Sequence, residues 1–406
     1  MTTAVVRALS ALAHEAAHAP STAGCDCPPP AVLADRADGT VVRSGPVVAK
    51  AHAPGTDLEA LAVRLRLAAD PRLAGVLLAP LPAGPAAAPL TAAGLPPHLT
   101  EVDGRPVTLW PHGEPVDPGD PDAAPWEEAA VLLARLHGTQ LRPPTAAGPP
   151  APRGARPAVT PPYEPPSGAV PPPREPPVGE LTPPREPPVG ELMPPCGPLA
   201  STLTQPCGPP VGTAGPPLAL PAMRGPAKAA LAVARMCAAR PGDPVVEPVL
   251  AAWRLLPAWA RDEAPAPAHR SHFLCHGDLH LGQLVRHPAT RGPWLLIDID
   301  DAGLGDAAWD LARPAAWYAA GLLSPEVWFR FLDAYRAAGG PAVRAEGDPW
   351  PELDVAARAL TVQTAALALA KSAAEDRAPD EVEQLVIDAC ARIASLPPEL
   401  AAEHSS

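Results

Sequence analysis

The sequence predicts an α+β protein in which a small antiparallel sheet precedes a mostly helical region. Three short apolar runs within residues 31–51 are separated by turn signals at Asp38-Gly39 and Ser44-Gly45-Pro46, a pattern typical of a three-stranded meander. Further along the chain, apolar residues recur with the period of a helix. The helical segments are 225–240, 245–260, 309–320, 325–338, 353–374 and 379–395.

Composition argues against several classes of function. The 406 residues carry a formal net charge of −13, so nucleic acid is not an expected partner, because phosphate binding needs basic surface. We see no apolar run of about 18 residues and expect no membrane span. Seven scattered cysteines suggest no paired framework, and we see no secretory segment, which favours a reduced cytoplasmic setting.

Residues 1–19 predict an amphipathic helix that ends before Pro20. The helix contains His14-Glu15-Ala16-Ala17-His18, which matches the HExxH pattern of zinc proteases, and Cys25-Asp26-Cys27 follows it. A catalytic zinc also needs a third ligand and a cleft wall, and little chain precedes this helix. We interpret the segment as a surface helix and keep a metal site as the alternative.

Further elements follow the meander. A helix is predicted over 56–69 and a second over 126–141, with strands over 75–78 and 107–110 between them. The first helix begins with Thr56-Asp57-Leu58-Glu59, which has the form of a capping box. In such a box Glu59 folds back onto the start of its own helix.

The stretch 271–313 combines short apolar strands with polar residues at their ends. Two apolar runs between residues 284 and 297 flank a turn-rich segment and predict a hairpin. Asp278 and Gln283 precede this hairpin, and Asp298 follows it. We therefore expect these three side chains to lie in one neighbourhood.

Phosphoryl transfer is the chemistry that uses such a set. A carboxylate must orient the attacking hydroxyl or accept its proton, and Mg²⁺ needs protein oxygens beside the nucleotide phosphates. Asp278 suits the first role and Asp298 the second, while Gln283 offers a neutral amide oxygen. Taken alone, His276-Gly277-Asp278 is also compatible with a simple turn. The aspartates that follow the hairpin are likewise compatible with a solvent-exposed segment.

The motif His276-Gly277-Asp278, with Gln283 five residues on, resembles the catalytic loop of the aminoglycoside phosphotransferase and kinase-like family. The family's metal-binding segment is similar to a second set of residues, namely Ile297-Asp298, Gly305-Asp306 and Asp310-Leu311-Ala312. Gln283 departs from the usual asparagine, and HGDLHLGQ is similar to the maltokinase version of the loop. The resemblance implies that Asp278 is the catalytic base and that Asp298 and Gln283 are magnesium ligands.

The resemblance also implies a bilobal protein-kinase-like fold, with a small antiparallel-sheet lobe and a mostly helical lobe, that binds ATP. Lys50, in the third strand of the meander, would contact the nucleotide phosphates. Trp110 and His112 would lie at the hinge between the lobes, beside the adenine. Glu59 would then be the helix glutamate that pairs with Lys50, which is the alternative to its role in the cap.

Residues 143–220 predict a proline-rich insertion. An eleven-residue unit occurs twice, as PPREPPVGELT at 172–182 and PPREPPVGELM at 183–193. Such proline density is incompatible with helices or sheet ladders. We expect a disordered or polyproline-like segment, with a PxxP ligand for a partner domain as the alternative.

The predicted domains are a nucleotide-binding lobe at 1–112, the start of the C-terminal lobe at 113–142, and the rest of that catalytic and substrate lobe at 221–406. The predicted function is ATP- and magnesium-dependent transfer of the γ-phosphate to a hydroxyl of a small molecule. The alternatives are a sugar kinase of maltokinase type and a non-catalytic pseudokinase that uses the proline-rich segment as a scaffold.

Overall fold

The computed structural model describes residues 3–18, 28–36, 39–83, 95–140 and 220–396. All of them belong to one compact unit that comprises residues 1–141 and 218–406. Cys25, Cys27 and the proline-rich insertion at 143–220, apart from Leu220, lie outside the described residues. The expectations for these segments therefore stay predictions.

A five-stranded antiparallel sheet forms the N-terminal part of the unit. The elements of this part, in chain order, are α1 (Thr3–Ala17), β1 (Ala31–Asp35), β2 (Gly39–Ser44), β3 (Val47–His52), α2 (Leu58–Ala68), β4 (Leu99–Val102) and β5 (Arg105–Pro111). The strand order is β1-β2-β3-β5-β4, and β1 to β3 form the predicted meander. Helix α1 packs Val5, Leu9 and Ala13 against this sheet. His14 and Glu15 of the HExxH pattern are exposed.

Helix α2 begins differently from the prediction. Asp57, rather than Thr56, is the N-cap, and its carboxylate accepts hydrogen bonds from the backbone N–H groups of Glu59 and Ala60, both at 3.0 Å. The Thr56 hydroxyl instead donates to the Ala53 carbonyl at 2.8 Å. The predicted capping box is therefore wrong, because a carboxylate one residue later satisfies the free N–H groups of the first turn.

The strand predicted over 75–78 is also wrong as a separate element. Beyond local turn bonds to Leu73, the backbone of this segment makes isolated bridges: Leu78 N–H donates to the Leu296 carbonyl, and Leu296 N–H donates to the Val76 carbonyl, both at 2.9 Å. Three residues of a 3₁₀ turn, Pro71–Leu73, precede it. The apolar run reflects burial of a connecting segment, which periodicity alone cannot distinguish from a short strand.

The remainder of the unit is mostly helical. In chain order it contains β6 (Glu114–Pro115), α3 (Trp126–Gly138), α4 (Gly225–Ala239), α5 (Glu247–Arg254), β7 (Phe273–Cys275), β8 (Leu284–Arg286), β9 (Trp294–Leu296), β10 (Gly303–Gly305), α6 (Ala308–Ala320), α7 (Pro325–Ala337), α8 (Trp350–Ala374) and α9 (Glu381–Ala394). The single helix predicted over 245–260 is wrong: α5 ends before Pro257, which removes a backbone donor and restricts the preceding residue. The predicted α+β class is confirmed.

The predicted hairpin is present and determines where two site residues lie. Strands β8 and β9 pair antiparallel with Leu284 opposite Leu296, and β6 pairs with the other edge of β8. At the open end of the hairpin, Ile297 N–H donates to the Gln283 carbonyl at 2.9 Å. The backbone therefore holds Gln283 next to the residue that precedes Asp298.

Helix α8 is long and apolar enough to cross a membrane by length and composition, a property that our sequence reading overlooked. Within the apolar window, 72% of the helix is buried inside the protein. It packs against α4, α6 and α9, with Leu353, Val362 and Leu369 fully buried. This packing accounts for its apolar sequence.

Candidate active site

Lys50 lies where β3 meets the segment that follows β9. Its Nζ donates to Asp298 Oδ1 at 2.7 Å and lies 2.8 Å from Asp300 Oδ2. Burial acts to lower the pKa of Lys50, but the carboxylates of Asp300 and Asp298 outweigh it and raise the pKa. The lysine is therefore an ammonium ion that neutralises two carboxylates.

A chain of hydrogen bonds connects Asp300 to Trp110. His52 Nδ1 lies 3.2 Å from Asp300 Oδ2, and His52 Nε2 lies 3.0 Å from Thr108 Oγ1. Trp110 Nε1 donates to the same hydroxyl at 2.9 Å. Because the indole is only a donor, the chain is satisfied when Thr108 donates to His52 and His52 donates to Asp300. Burial acts to raise the pKa of Asp300, but Lys50 and His52 lower it far below its usual range.

Asp278 lies between two cations. Its Oδ2 is 2.6 Å from Lys228 Nζ, and its Oδ1 is 2.8 Å from Arg313 Nη2. Lys228 Nζ is also 2.7 Å from Asp301 Oδ2. Burial acts to raise the pKa of Asp278, but Lys228, and to a lesser extent Arg313, lower it. Asp278 is therefore an ionised carboxylate with both oxygens engaged.

Buried Asp310, on α6, fixes the backbone of the loop at residues 276–278. Its carboxylate accepts from His276 N–H at 2.6 Å and from Gly277 N–H at 2.7 Å. His137 Nε2 lies 3.0 Å from the same carboxylate, and His137 Nδ1 lies 2.8 Å from the Tyr335 hydroxyl. Burial acts to raise the pKa of Asp310, but the hydrogen bond from His137 and the other donors lower it. The carboxylate is thus ionised and saturated by donors.

Two residues of the site have left-handed backbone conformations. Gly277 has φ +85°, and a Cβ at this position would lie 2.5 Å from the Asp301 carbonyl oxygen. Asp298 has φ 60° without being glycine. Such a conformation costs energy for a residue with a side chain and is concentrated at functional sites.

The side chains of Gln283 and Asp298 meet at one point, where the Gln283 amide N–H donates to the Asp298 carboxylate. The Gln283 Nε2 atom lies 3.4 Å from Asp298 Oδ2, while Lys50 holds the other carboxylate oxygen. An amide and a carboxylate side by side form the kind of oxygen donor set that Mg²⁺ prefers. The residues present therefore fit a magnesium ion.

The two histidines of the loop have structural contacts. His276 Nε2 lies 2.7 Å from the Ile297 carbonyl, which ties the loop to the end of the hairpin. His280 Nδ1 accepts from Gly282 N–H at 3.0 Å. Burial, followed by the charge of Arg313, lowers the pKa of His280 to about 4. His280 is therefore neutral at physiological pH.

Trp110 and His112 lie at the end of β5. The Trp110 ring packs against the small apolar cluster of Leu78, Val285 and Leu295, together with Ile297. The backbone of His112 is engaged: its N–H donates to the Pro46 carbonyl at 2.7 Å, and its carbonyl oxygen lies 3.2 Å from His287 Nδ1. Trp110 is thus connected to Asp300, the partner of Lys50, through the hydrogen-bonded chain that begins at its indole. His112 instead contacts Pro46 and His287.

The structure places Asp300 where the resemblance would put the helix glutamate. Lys50 pairs with Asp298 and Asp300, and Glu59 is exposed on α2. Sequence reasoning also missed Lys228 and its contact with Asp278. The one available signal was rarity, since the chain has only three lysines.

Residues 210–350 match the family model described as the phosphotransferase enzyme family. The resemblance to the phosphotransferase family is confirmed. The matched range contains the loop at residues 276–278, the hairpin and Asp310. Lys50 and the five-stranded sheet lie outside that range, so the phosphotransferase match and the Lys50–Asp298 contact are separate observations.

Solved structures similar to this chain include several phosphotransferases. A choline/ethanolamine kinase family protein from Mesorhizobium loti is 15% identical over 98% of this chain and 97% of its own, with a TM-score of 0.49. A macrolide 2'-phosphotransferase from Brachybacterium faecium is 15% identical over 91% and 92%, with a TM-score of 0.39. A thermostable aminoglycoside phosphotransferase mutant, bound to AMP-PNP and hygromycin B, is 13% identical over 98% and 100%, with a TM-score of 0.49. These similarities do not identify the substrate of this chain. A comparison with curated proteins found no significant match.

Proposed function

We propose that this protein transfers the γ-phosphate of ATP to a hydroxyl group of a small molecule. The observation that carries the proposal is the junction at residues 298–301. Asp298 and Asp300 contact Lys50 of the sheet, and Asp301 is linked through Lys228 to Asp278 of the catalytic loop. A nucleotide-side cation and an acceptor-side carboxylate thus meet at one short segment.

In the proposed reaction, the acceptor oxygen forms a bond to the γ-phosphorus while the bond from that phosphorus to the bridging oxygen breaks. ADP leaves, and the hydroxyl proton passes to Asp278 and then to solvent. Asp278 has a lowered pKa, so its main contribution is to orient the hydroxyl. This suits phosphoryl transfer, which depends chiefly on positioning and electrostatic stabilisation.

The remaining roles follow from the same geometry. Lys50 neutralises charge on the nucleotide phosphates. Asp298 and Gln283 would hold a magnesium ion, which supplies charge neutralisation at the phosphates when bound. Trp110 and His112, at the end of β5, border the nucleotide on the adenine side. In this assignment 1–112 is the nucleotide-binding lobe and 113–142 with 221–406 form the catalytic lobe of a cytoplasmic enzyme.

A sugar or another neutral alcohol is the second candidate acceptor class, beside aminoglycosides. Three cations surround the two carboxylates at this side of the site: Lys228, Arg313 and Arg224, whose Nη1 lies 3.5 Å from Asp301. A polycationic acceptor would meet this excess of positive charge, whereas a neutral acceptor would not. This distribution of charge supports a sugar kinase of maltokinase type.

The experiment is a coupled assay of ADP release with a panel of aminoglycosides, macrolides, sugars and choline-like alcohols. We expect ADP release that depends on one acceptor class and falls by about 10²- to 10⁴-fold in Asp278→Asn, while nucleotide affinity is retained. Absence of turnover with every acceptor, together with loss of partner binding on deletion of 143–220, would instead favour the pseudokinase scaffold.

A further inference from the structure

We propose that Lys228 is a positioning residue for the reaction: it fixes the orientation and ionised state of the Asp278 carboxylate and couples it to Asp301. This inference rests on the proposed function. Lys228 is on α4, outside both sequence motifs. Its ammonium donates to Asp278 Oδ2 at 2.6 Å and to Asp301 Oδ2 at 2.7 Å. It therefore joins the catalytic loop to the segment that carries Asp298.

The start of α4 is fixed against the site by backbone contacts. Met223 N–H donates to the Leu304 carbonyl at 2.9 Å, and Arg224 N–H donates to the Asp301 carbonyl at 3.1 Å. Gly225 packs against Trp309 so closely that a Cβ there would lie 2.1 Å from the indole nitrogen. Lys228 therefore extends from a rigid base, and a long side chain held at both ends loses little further freedom on binding.

The charged and titratable groups that face Asp278 come from several elements. Lys228 reaches it from α4 and Arg313 from α6, while His280, neutral above its lowered pKa, is on its own loop. Asp301 shares Lys228, and Arg224 in turn lies beside Asp301. Lys228 is the largest of the charges that lower the pKa of Asp278. How far Lys228 lowers the pKa of Asp278 depends on how strongly Asp301 competes for hydrogen bonds from the same ammonium.

This competition gives two substitutions with opposite effects. Lys228→Met removes the cation, so the pKa of Asp278 rises and the acid limb of the kcat/KM profile moves to higher pH. Asp301→Asn removes the competing carboxylate, so Lys228 acts on Asp278 alone and the acid limb moves to lower pH. The opposite shifts check that the acid limb reports Asp278, and a loss of kcat at unchanged nucleotide affinity, partly recovered in Lys228→Arg, separates a positioning role from a merely structural one.

The test measures kcat, KM for ATP and the pH profile for wild type, Lys228→Met, Lys228→Arg, Asp301→Asn and the control Lys371→Met, at an exposed helical lysine. For Lys228→Met we expect kcat to fall by about 10²-fold, the acid limb to rise by about one pH unit or more, and nucleotide affinity to stay within about twofold. Lys228→Arg should recover part of kcat, and Lys371→Met should match wild type.

Several results would overturn the proposal. One is a Lys228→Met variant with the kcat and acid limb of wild type; another is an Asp301→Asn variant whose acid limb is unchanged or moves to higher pH. If Lys228→Met does not fold, Lys228→Arg and Asp301→Asn carry the test together, with a kcat below wild type expected for the first and an acid limb at lower pH for the second. Failure of the proposed function is distinguishable, because wild type itself would then release no ADP with any acceptor.

Discussion

Lys50 Nζ lies 2.7 Å from Asp298 Oδ1, although the two residues are 248 positions apart in the chain. The contact joins β3 of the antiparallel sheet to the segment after the β8–β9 hairpin. Asp298 adopts a left-handed backbone conformation at this point. The fold therefore holds a strained residue in contact with a partly buried cation, and such strain is characteristic of functional sites.

Replacement of Lys50 by Met should weaken nucleotide binding by about 10- to 100-fold, since hydrogen bonds between charged groups contribute about 1.5–3 kcal/mol. Without the ammonium, the carboxylates of Asp298 and Asp300 also repel each other and the nucleotide phosphates. Titration calorimetry with ATP, with and without Mg²⁺, measures the effect. Lys371→Met is the control. Equal affinities of the Lys50 variant and wild type would mean that Lys50 does not contact the nucleotide.

Gly277→Ala should destabilise the protein and reduce turnover, since its Cβ would lie 2.5 Å from the Asp301 carbonyl. Gly242→Ala is the matched control: φ is +71° there, but nothing lies within 4 Å of the added Cβ. The control isolates the cost of the left-handed conformation, about 1–2 kcal/mol. We expect a larger loss of unfolding free energy for Gly277→Ala in urea titration. Equal losses for the two variants would contradict the close approach to Asp301.

Asp310→Asn should lower the unfolding free energy by about 2–3 kcal/mol at pH 7, because the loop N–H groups of His276 and Gly277 lose a charged acceptor. The pKa of Asp310 is lowered in the folded protein. Its contribution is therefore complete above the unfolded pKa, near 4, and is lost as pH falls through the folded value.

Urea denaturation of wild type and Asp310→Asn between pH 7 and pH 3 checks this sign. The stability difference between the two proteins should shrink as the pH falls. The control is Asp333→Asn, at an exposed position of α7. A difference that grows at acid pH would mean that Asp310 is not ionised in the folded state.

Tyr335→Phe should destabilise the protein by about 1–3 kcal/mol, because the hydroxyl serves two buried groups. It lies 2.8 Å from His137 Nδ1 and accepts from Ala342 N–H at 3.0 Å. Tyr318→Phe is the matched control, at a half-buried tyrosine whose ring stacks on Trp328. Thermal unfolding of both variants separates the effects, and similar melting temperatures would argue against the His137–Tyr335 contact.

The elements that sequence predicted well are those whose local signals agree with their tertiary role. The β1–β3 meander and the β8–β9 hairpin have apolar strands and clear turns, and both form. The segment 75–78 has an equally apolar sequence and is buried, but its backbone pairs with β9 only through an isolated bridge. The capping box failed because Thr56 and Asp57 are both good caps, and only the tertiary path of the chain chooses between them.

In the candidate active site, too, only contacts between residues close in sequence could be predicted. Gln283 and Asp298 lie at the two strands of a short hairpin where it opens, so their contact follows from local sequence. Lys228 comes from a helix more than 40 residues earlier in the chain, and helical periodicity does not reveal which polar side chain faces a distant loop. For the same reason Glu59, on α2, was a reasonable partner for Lys50 until the fold placed Asp300 there.

Gly225 has no polar side chain and touches none of the reacting groups, yet it sets how far α4 stands from Trp309. Any larger residue would push the helix outward and withdraw the Lys228 ammonium from Asp278. In a saturation mutagenesis screen, position 225 would therefore resemble an active-site position, and a map of intolerant positions would extend beyond the residues that handle phosphate.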